Sequence, residues 1–288
     1  MGASAGDLLA RDLTAKWLAD AGIDYTLAVD KPFTDGESFF ELDPADYTHV
    51  VFVCGPCGDG PPFTWLHDRF KDCHWVGLNL TMLQTLDEWN PFELLIERDS
   101  DRTTRADMVF LTEPIRVPKV GLILVHPQKE YGERGRHEQV GQLIEQHLAS
   151  LDVAVVPIDT RLDENAGGLA SSGQIESMIA AMDLTVTTRL HGTVLSLKNG
   201  VPPVVVDPIA GGAKVAAQCD QINWSWCVKA EELTAQWLSK AIEYALTDAA
   251  KNDVAACRDS ARRSLESIRT DFVEHLKRGT PASAEGAR

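Results

Sequence analysis

Long apolar runs are missing from this sequence: no uninterrupted hydrophobic stretch comes near the roughly 20 residues that a membrane-crossing helix needs, so an integral membrane protein is not expected. The opening MGASAGDLLARDL has neither the basic start nor the apolar middle of a secretory signal, which makes a cytoplasmic location the expectation. Basic charge is scarce. Lys and Arg number 27 against 43 Asp and Glu, a formal net charge of −16, which argues against a nucleic-acid backbone as the main partner. No His/Cys cluster with ligand spacing is present, so no metal is expected. Six cysteines without a secretory signal are expected as reduced thiols. What is there is a core-forming composition, 44% hydrophobic and 24% charged over 288 residues, enough for two ordinary α/β domains.

From Pro118 onward, apolar runs of strand length alternate with amphipathic stretches. VGLILV (120–125) precedes a helical pattern through Val140, Leu143, Ile144, Leu148 and Leu151, whose spacings of three and four mark one buried face. VAVVPI (153–158) follows, then Ile175, Met178, Ile179 and Met182 with Ser172 as the expected N-cap. LTVTT (184–188), a short helix ending at Gly200, PVVVD (203–207), a helix from about Gly212 and another over 230–246 complete the series. Near-continuous apolar strands between helices describe a parallel sheet covered on both faces.

The first half is less regular. A helix opens near Asp7 and stops at Gly22, followed by strand-like runs at 24–29, 49–53, 75–80, 92–97 and 107–111 with a helix near 63–71. This predicts a second Rossmann-like layer. The expected domains are therefore 1–115 and 116–249, followed by one long helix over 250–279 and a disordered tail at 280–288. Val254, Ala261, Leu265, Ile268, Phe272 and Leu276 put an apolar stripe on that helix, predicted to pack back toward the first domain. Two such domains with a returning helix resemble the glycosyltransferase-B arrangement, whose ligands lie between domains. Charge divides unevenly, with 21 acids and 8 bases in residues 1–115 but 22 and 19 in 116–288, which favours the second half for an anionic ligand.

Ligands of doubly wound sheets bind beyond the carboxyl ends of the strands, where helix N-termini point. Arg189, Leu190, His191 and Gly192 fall there. Arg189 offers a planar fork for a carboxylate or phosphate, His191 a hydrogen bond or a movable proton, and Gly192 close approach to the backbone. A surface ion pair and a turn histidine are the bland alternatives. His126 and Gln128 occupy the equivalent place at the end of the first strand of the second domain, as ligand-facing or as turn residues. Asp207, Gly211, Gly212 and Lys214 form a turn into a helix that could hold phosphate. In the first half, Asp7 is either a base or acceptor contact or simply a helix cap, and Arg98 either reaches the ligand or forms a salt bridge. Cys54-Gly55-Pro56-Cys57 has the form of a thioredoxin-type redox string, although Asp59-Gly60-Pro61-Pro62 delays the helix that chemistry requires.

The block TRLHGTVLSLKNGVPPVVV resembles the polysaccharide pyruvyltransferase family, as do IESMIAAMDLTVTT leading into it, GASAGDLLARDLTAKWLADAGI at the start and ERDSDRTTRADMVFLTEP at the end of the first half. Only 186–206 is specific; elsewhere in 3–245 the likeness is of order and character. The resemblance implies transfer of a pyruvyl or enolpyruvyl unit from phosphoenolpyruvate to sugar hydroxyls of a glycan or glycolipid, giving a pyruvate ketal. It implies that Arg189 and His191 bind the donor, with His191 the better proton-transfer candidate, and that no cofactor is needed beyond the donor. The family opens with a β-strand before its Gly-Asp loop, where this chain has only Met1–Ala5, so either a shortened chain or a sheet lacking that strand is expected. The alternatives are a nucleotide-sugar glycosyltransferase or epimerase of the same architecture, a catalytically silent family member, and a thiol redox protein. A homo-oligomer stays open.

Overall fold

The computed structural model describes residues 4–29, 35–100 and 102–278. The expected tail at 280–288 and the helix end at Gly279 lie outside the described residues, as do the first three residues of the short opening. The chain divides into two compact units, Met1–Ile115 and Arg116–Arg288. Both are α/β with parallel sheets, as the strand and helix alternation predicts.

In the first unit, α1 (Ala5–Asp20) begins at a capping box in which Ser4 and Asp7 satisfy each other's backbone N–H groups. Two short pieces, β1 (Ala28–Val29) and β2 (Glu37–Ser38), pair in parallel, so the strand expected over 24–29 shrinks to its last two residues. The main sheet runs β3 (His49–Cys57), β4 (His74–Met82) and β5 (Leu94–Asp99) in that spatial order, with α2 (Phe63–Arg69) between β3 and β4. Phe63, Phe70, Trp75, Leu80 and Phe92 fill its core. Cys54 and Asn79 both take left-handed backbone, φ 63° and 59°, at the point where the β3–β4 pairing skips from Val53–Leu78 to Gly55–Leu80. Asn79 Oδ1 accepts the Met108 N–H at 3.2 Å. The strand expected at 107–111 is instead a 3₁₀ turn over Met108–Leu111. Asp107 turns the chain by accepting the Val109 N–H at 2.9 Å, and its carboxylate is anchored by Asn79 and Arg98.

The second unit has β6 (Lys119–Ile123), α3 (His137–Ala149), β7 (Ala154–Pro157), α4 (Ser172–Ala180), β8 (Leu184–Thr187), α5 (Leu190–Lys198) and β9 (Pro203–Asp207). It continues with α6 (Lys214–Gln221), β10 (Cys227–Lys229), α7 (Ala235–Ala245), α8 (Asp248–Ser264) and α9 (Ile268–Arg278). All five strands are parallel in the order β10-β9-β8-β6-β7, so the sheet reverses its winding between β6 and β8. Side-chain alternation explains the unbroken apolar strands: Val204 and Val206 join the core under α3 and α7, while Val205 faces the opposite core with Val215, Cys219 and Val254. The cap of α4 is Ser171 rather than Ser172, because Ser171 forms the capping box with Gln174. The helix expected over 230–246 starts late, at a Thr234 cap, since 227–229 are drawn into the sheet edge beside β9.

The long C-terminal helix is two helices. The ladder tightens at Arg262–Leu265 and Arg263–Glu266, and α9 begins afresh at Ile268. Val254 of α8 is fully buried, but Leu265, Ile268 and Phe272 are 56%, 55% and 62% exposed, so the stripe expected to pack does so only in its first half. Among the described residues no helix is long and apolar enough to cross a membrane.

Candidate functional site

The carboxyl edge of the five-stranded sheet carries the candidate site. Two threonines tie the ends of β6 and β8 together there. Thr187 Oγ1 donates to the Ile123 carbonyl at 3.1 Å and accepts the Arg189 N–H at 3.1 Å, and Thr188 Oγ1 accepts the Val125 N–H at 2.8 Å. These buried hydroxyls satisfy backbone groups where the pairing of the two strands ends. Arg189 then stands as the N-cap residue of α5 in extended backbone, and no side chain caps that helix. Its amino end therefore retains the partial positive charge and N–H groups that attract anions.

Gly192 has a packing role. A Cβ there would lie 2.2 Å from Thr187 Oγ1 and 2.9 Å from Ile123 Cγ2, so the glycine lets α5 press onto the ends of β6 and β8. Ser196 fastens the next turn, donating to the Gly192 carbonyl and meeting Thr185 Oγ1, both at 2.7 Å.

A cavity of about 360 Å³ opens at this corner, lined among others by Gln128, Tyr131, Arg189, Leu190, His191 and Lys214. Three of the sequence-selected cationic or titratable residues thus meet in one place, where the winding of the sheet reverses. His191 and Lys214 are exposed side chains at the cavity wall. Arg189 is held from behind: its NH1 lies 3.1 Å from Asp159 Oδ1, and Asp159 Oδ2 lies 3.3 Å from His126 Nε2. His126 therefore belongs to the support of Arg189 and is not part of the cavity lining.

The glycine turn after β9 is already occupied. Asp207 is fully buried and accepts the N–H groups of Ile209 at 3.0 Å, Ala213 at 2.7 Å and Ala216 at 2.9 Å, filling the anion position at the start of α6. Gly211 donates its N–H to Glu231 at 2.9 Å and Gly212 donates to the Ile209 carbonyl at 2.8 Å, while Arg134 clamps the Ala210 and Gly212 carbonyls. Both glycines have φ near 78–79°, so they shape a tight turn. Lys214 is what that turn delivers to the cavity.

In the first unit, Asp7 accepts the Ser4 N–H at 2.7 Å and the Ser4 hydroxyl at 2.9 Å, which is the helix-cap role. Burial works to raise its pKa, but Ser4, the Cys54 thiol and Arg98 outweigh it and hold the carboxyl below its usual range. Arg98 is engaged by Asp99 at 3.0 Å, by Asp107 and by Thr81 Oγ1 at 2.7 Å, which is the salt-bridge role. The cysteine string lacks the geometry of a redox pair. Strand β3 runs through Cys57 with no helix starting there, burial pushes the Cys57 thiol up to about 12, and burial together with Asp7 raises that of Cys54. All six cysteines are free thiols. Among the described residues no group of His, Cys, Asp and Glu side chains comes together to hold a metal ion.

Asp159, Tyr131 and Thr188 are the residues that sequence reasoning passed over. Asp159 carried one usable signal: like His126 and Arg189, it stands just beyond the end of an apolar strand.

Residues 105–208 match the family model described as polysaccharide pyruvyl transferase. That segment holds β6 to β9 with Arg189 and His191, and it includes the block in which the sequence resembles that family. No curated protein matches the chain. Among solved structures, the glycotransferase of kitacinnamycin is similar over 73% of this chain and 56% of its own, with TM-score 0.39 and 17% identity. CalG4, the calicheamicin glycosyltransferase, is similar over 93% of this chain and 65% of its own, with TM-score 0.38 and 15% identity. The chain thus spans less than two thirds of the length of either.

Proposed function

We propose that this protein transfers a pyruvyl unit from phosphoenolpyruvate to a pair of hydroxyls on a sugar of a glycan or glycolipid precursor, forming a cyclic pyruvate ketal and releasing phosphate. The observation that carries this reading is the meeting of Arg189, His191 and Lys214 with the uncapped start of α5 around one small cavity. Phosphoenolpyruvate brings a carboxylate and a phosphate on three carbons. A guanidinium fork and a helix start suit the first kind of group and an ammonium the second. A cavity of about 360 Å³ lies at the small end of ligand pockets, which suits a three-carbon ester better than a sugar nucleotide.

In the first step an acceptor hydroxyl oxygen bonds to C2 of the donor, its proton is taken up by a base, and the C3 methylene receives a proton to become methyl. In the second, a neighbouring hydroxyl displaces the phosphate from C2, which closes the ketal, and its proton leaves with the phosphate. Arg189 and Lys214 hold the anionic groups, and His191 gives the proton to C3, a transfer suited to an imidazole near neutral pH. Asp7 has no step here, because its carboxylate is engaged in the α1 cap and the lowered pKa makes it a weak base.

Two variants separate binding from proton transfer. Replacing Arg189 by Ala removes a charged hydrogen-bonding partner, so phosphoenolpyruvate affinity should fall by a factor of about 30 to 1,000. His191→Asn keeps a hydrogen-bond donor but cannot exchange protons, so turnover should fall much further than donor affinity. Calorimetry with phosphoenolpyruvate and phosphate release with a pyruvylatable sugar measure the two quantities. Equal losses in both for His191→Asn would reduce it to a binding group.

A further inference from the structure

We infer that Asp159 is a positioning residue for Arg189, fixing the orientation in which the guanidinium meets the donor anion. The inference rests on the donor-binding role proposed for Arg189. His126, Asp159 and Arg189 follow β6, β7 and β8, with β6 lying between the other two in the sheet, and hydrogen bonds link their side chains at its carboxyl edge. Asp159 occupies the middle of the hydrogen-bond chain: Oδ1 accepts from Arg189 NH1 at 3.1 Å and from the Arg161 N–H at 2.9 Å, and Oδ2 faces His126 Nε2 at 3.3 Å. Its side chain is 13% exposed and that of Arg189 20%, so the pair is largely shielded while Arg189 still reaches the cavity that Asp159 does not line.

The loop behind Asp159 is built to keep it still. Asn165 donates to the Asp159 and Arg161 carbonyls at 2.9 and 2.7 Å, and its Oδ1 accepts the N–H groups of Gly167 and Leu169, both at 3.0 Å. Burial alone would raise the Asp159 pKa, but the Arg161 N–H, His126 and Arg189 outweigh it, so the residue stays a carboxylate. An arginine side chain has several freely turning bonds, and anchoring one nitrogen leaves the rest of its fork oriented before the ligand arrives. Opposing this, a carboxylate beside a binding arginine repels an incoming anion. The two effects predict opposite signs when Asp159 is changed.

The test measures phosphoenolpyruvate Kd by calorimetry, and KM and kcat by phosphate release, for three variants whose melting temperatures are also recorded. Asp159→Ala should raise Kd and KM about tenfold and leave kcat within about threefold. Asp159→Asn, which keeps an acceptor oxygen at the same place, should restore affinity to within about threefold of wild type. Asp159→Glu keeps the charge but moves the oxygens by one methylene, and should lose affinity as Ala does. In an Arg189→Lys background, Asp159→Ala should add little, because the partner it positions is gone. If Asp159→Ala fails to fold, the Asn and Glu variants alone decide, Asn retaining and Glu losing affinity if Asp159 positions Arg189. Unchanged or tightened binding in the Ala variant, or in the Glu variant where only that one folds, with Arg189→Ala still crippling, overturns the inference and leaves the donor reading intact. Failure of the wild type to bind phosphoenolpyruvate removes both.

Discussion

At the residue scale, the motif around 186–192 divides its work between chemistry and packing. Arg189 and His191 face the cavity, Thr188 lines it while its hydroxyl holds the Val125 N–H, and Thr187 and Gly192 set α5 down on the ends of β6 and β8. Gly192→Ala would place a methyl 2.2 Å from Thr187 Oγ1, so something must shift. Overpacking of this kind costs about 1–3 kcal/mol, and thermal unfolding should show a lowered Tm even before activity is assayed. An unchanged Tm would mean that α5 is not pressed onto the strands as described. The sequence made Arg189 and His191 legible because they stand at a strand-to-helix join with chemistry that packing does not require. Asp159 was only faintly legible, as one more residue just beyond an apolar strand. An acid in an Asp-Thr-Arg-Leu-Asp-Glu loop looks like any solvated turn, and only the adjacency of β6, β7 and β8 reveals that it backs Arg189.

At the scale of elements, strands and helices with strong periodicity emerged where the pattern put them, and those whose ends depend on distant partners did not. The parallel strands β6, β8 and β9 are short runs dominated by Val, Ile, Leu and Thr and buried at nearly every position, a signal local to the sequence. Residues 107–111 have equal strand character, yet Arg98 and Asn79, nine and 28 residues earlier, capture Asp107 and convert the run to a turn. The C-terminal stripe misled in another way: helical spacing shows that a face is apolar but not that anything covers it. With Phe272 at 62% exposed, Phe272→Ala should change stability by no more than about 0.5 kcal/mol, against about 3–5 kcal/mol for an enclosed phenylalanine. Urea unfolding of the two proteins checks this. A loss in the larger range would show that α9 is packed in solution.

For the whole molecule, charge and site agree. The chain carries a net charge of −16, and most of the excess lies in residues 1–115, while the cluster of Arg189, His191 and Lys214 lies in the second unit. On the proposed reading, a small anion would meet less opposing charge in the second unit than in the first. The second anion position in that unit, at the start of α6, is filled by the buried carboxylate of Asp207, which leaves the amino end of α5 for the ligand. The most direct test is a calorimetric titration of the wild-type protein with phosphoenolpyruvate beside an identical titration with a sugar nucleotide. Saturable phosphoenolpyruvate binding in the millimolar range or tighter, lost in Arg189→Ala and unmatched by the nucleotide, is the result predicted. No phosphoenolpyruvate binding at millimolar concentration, with the sugar nucleotide bound instead, would contradict it.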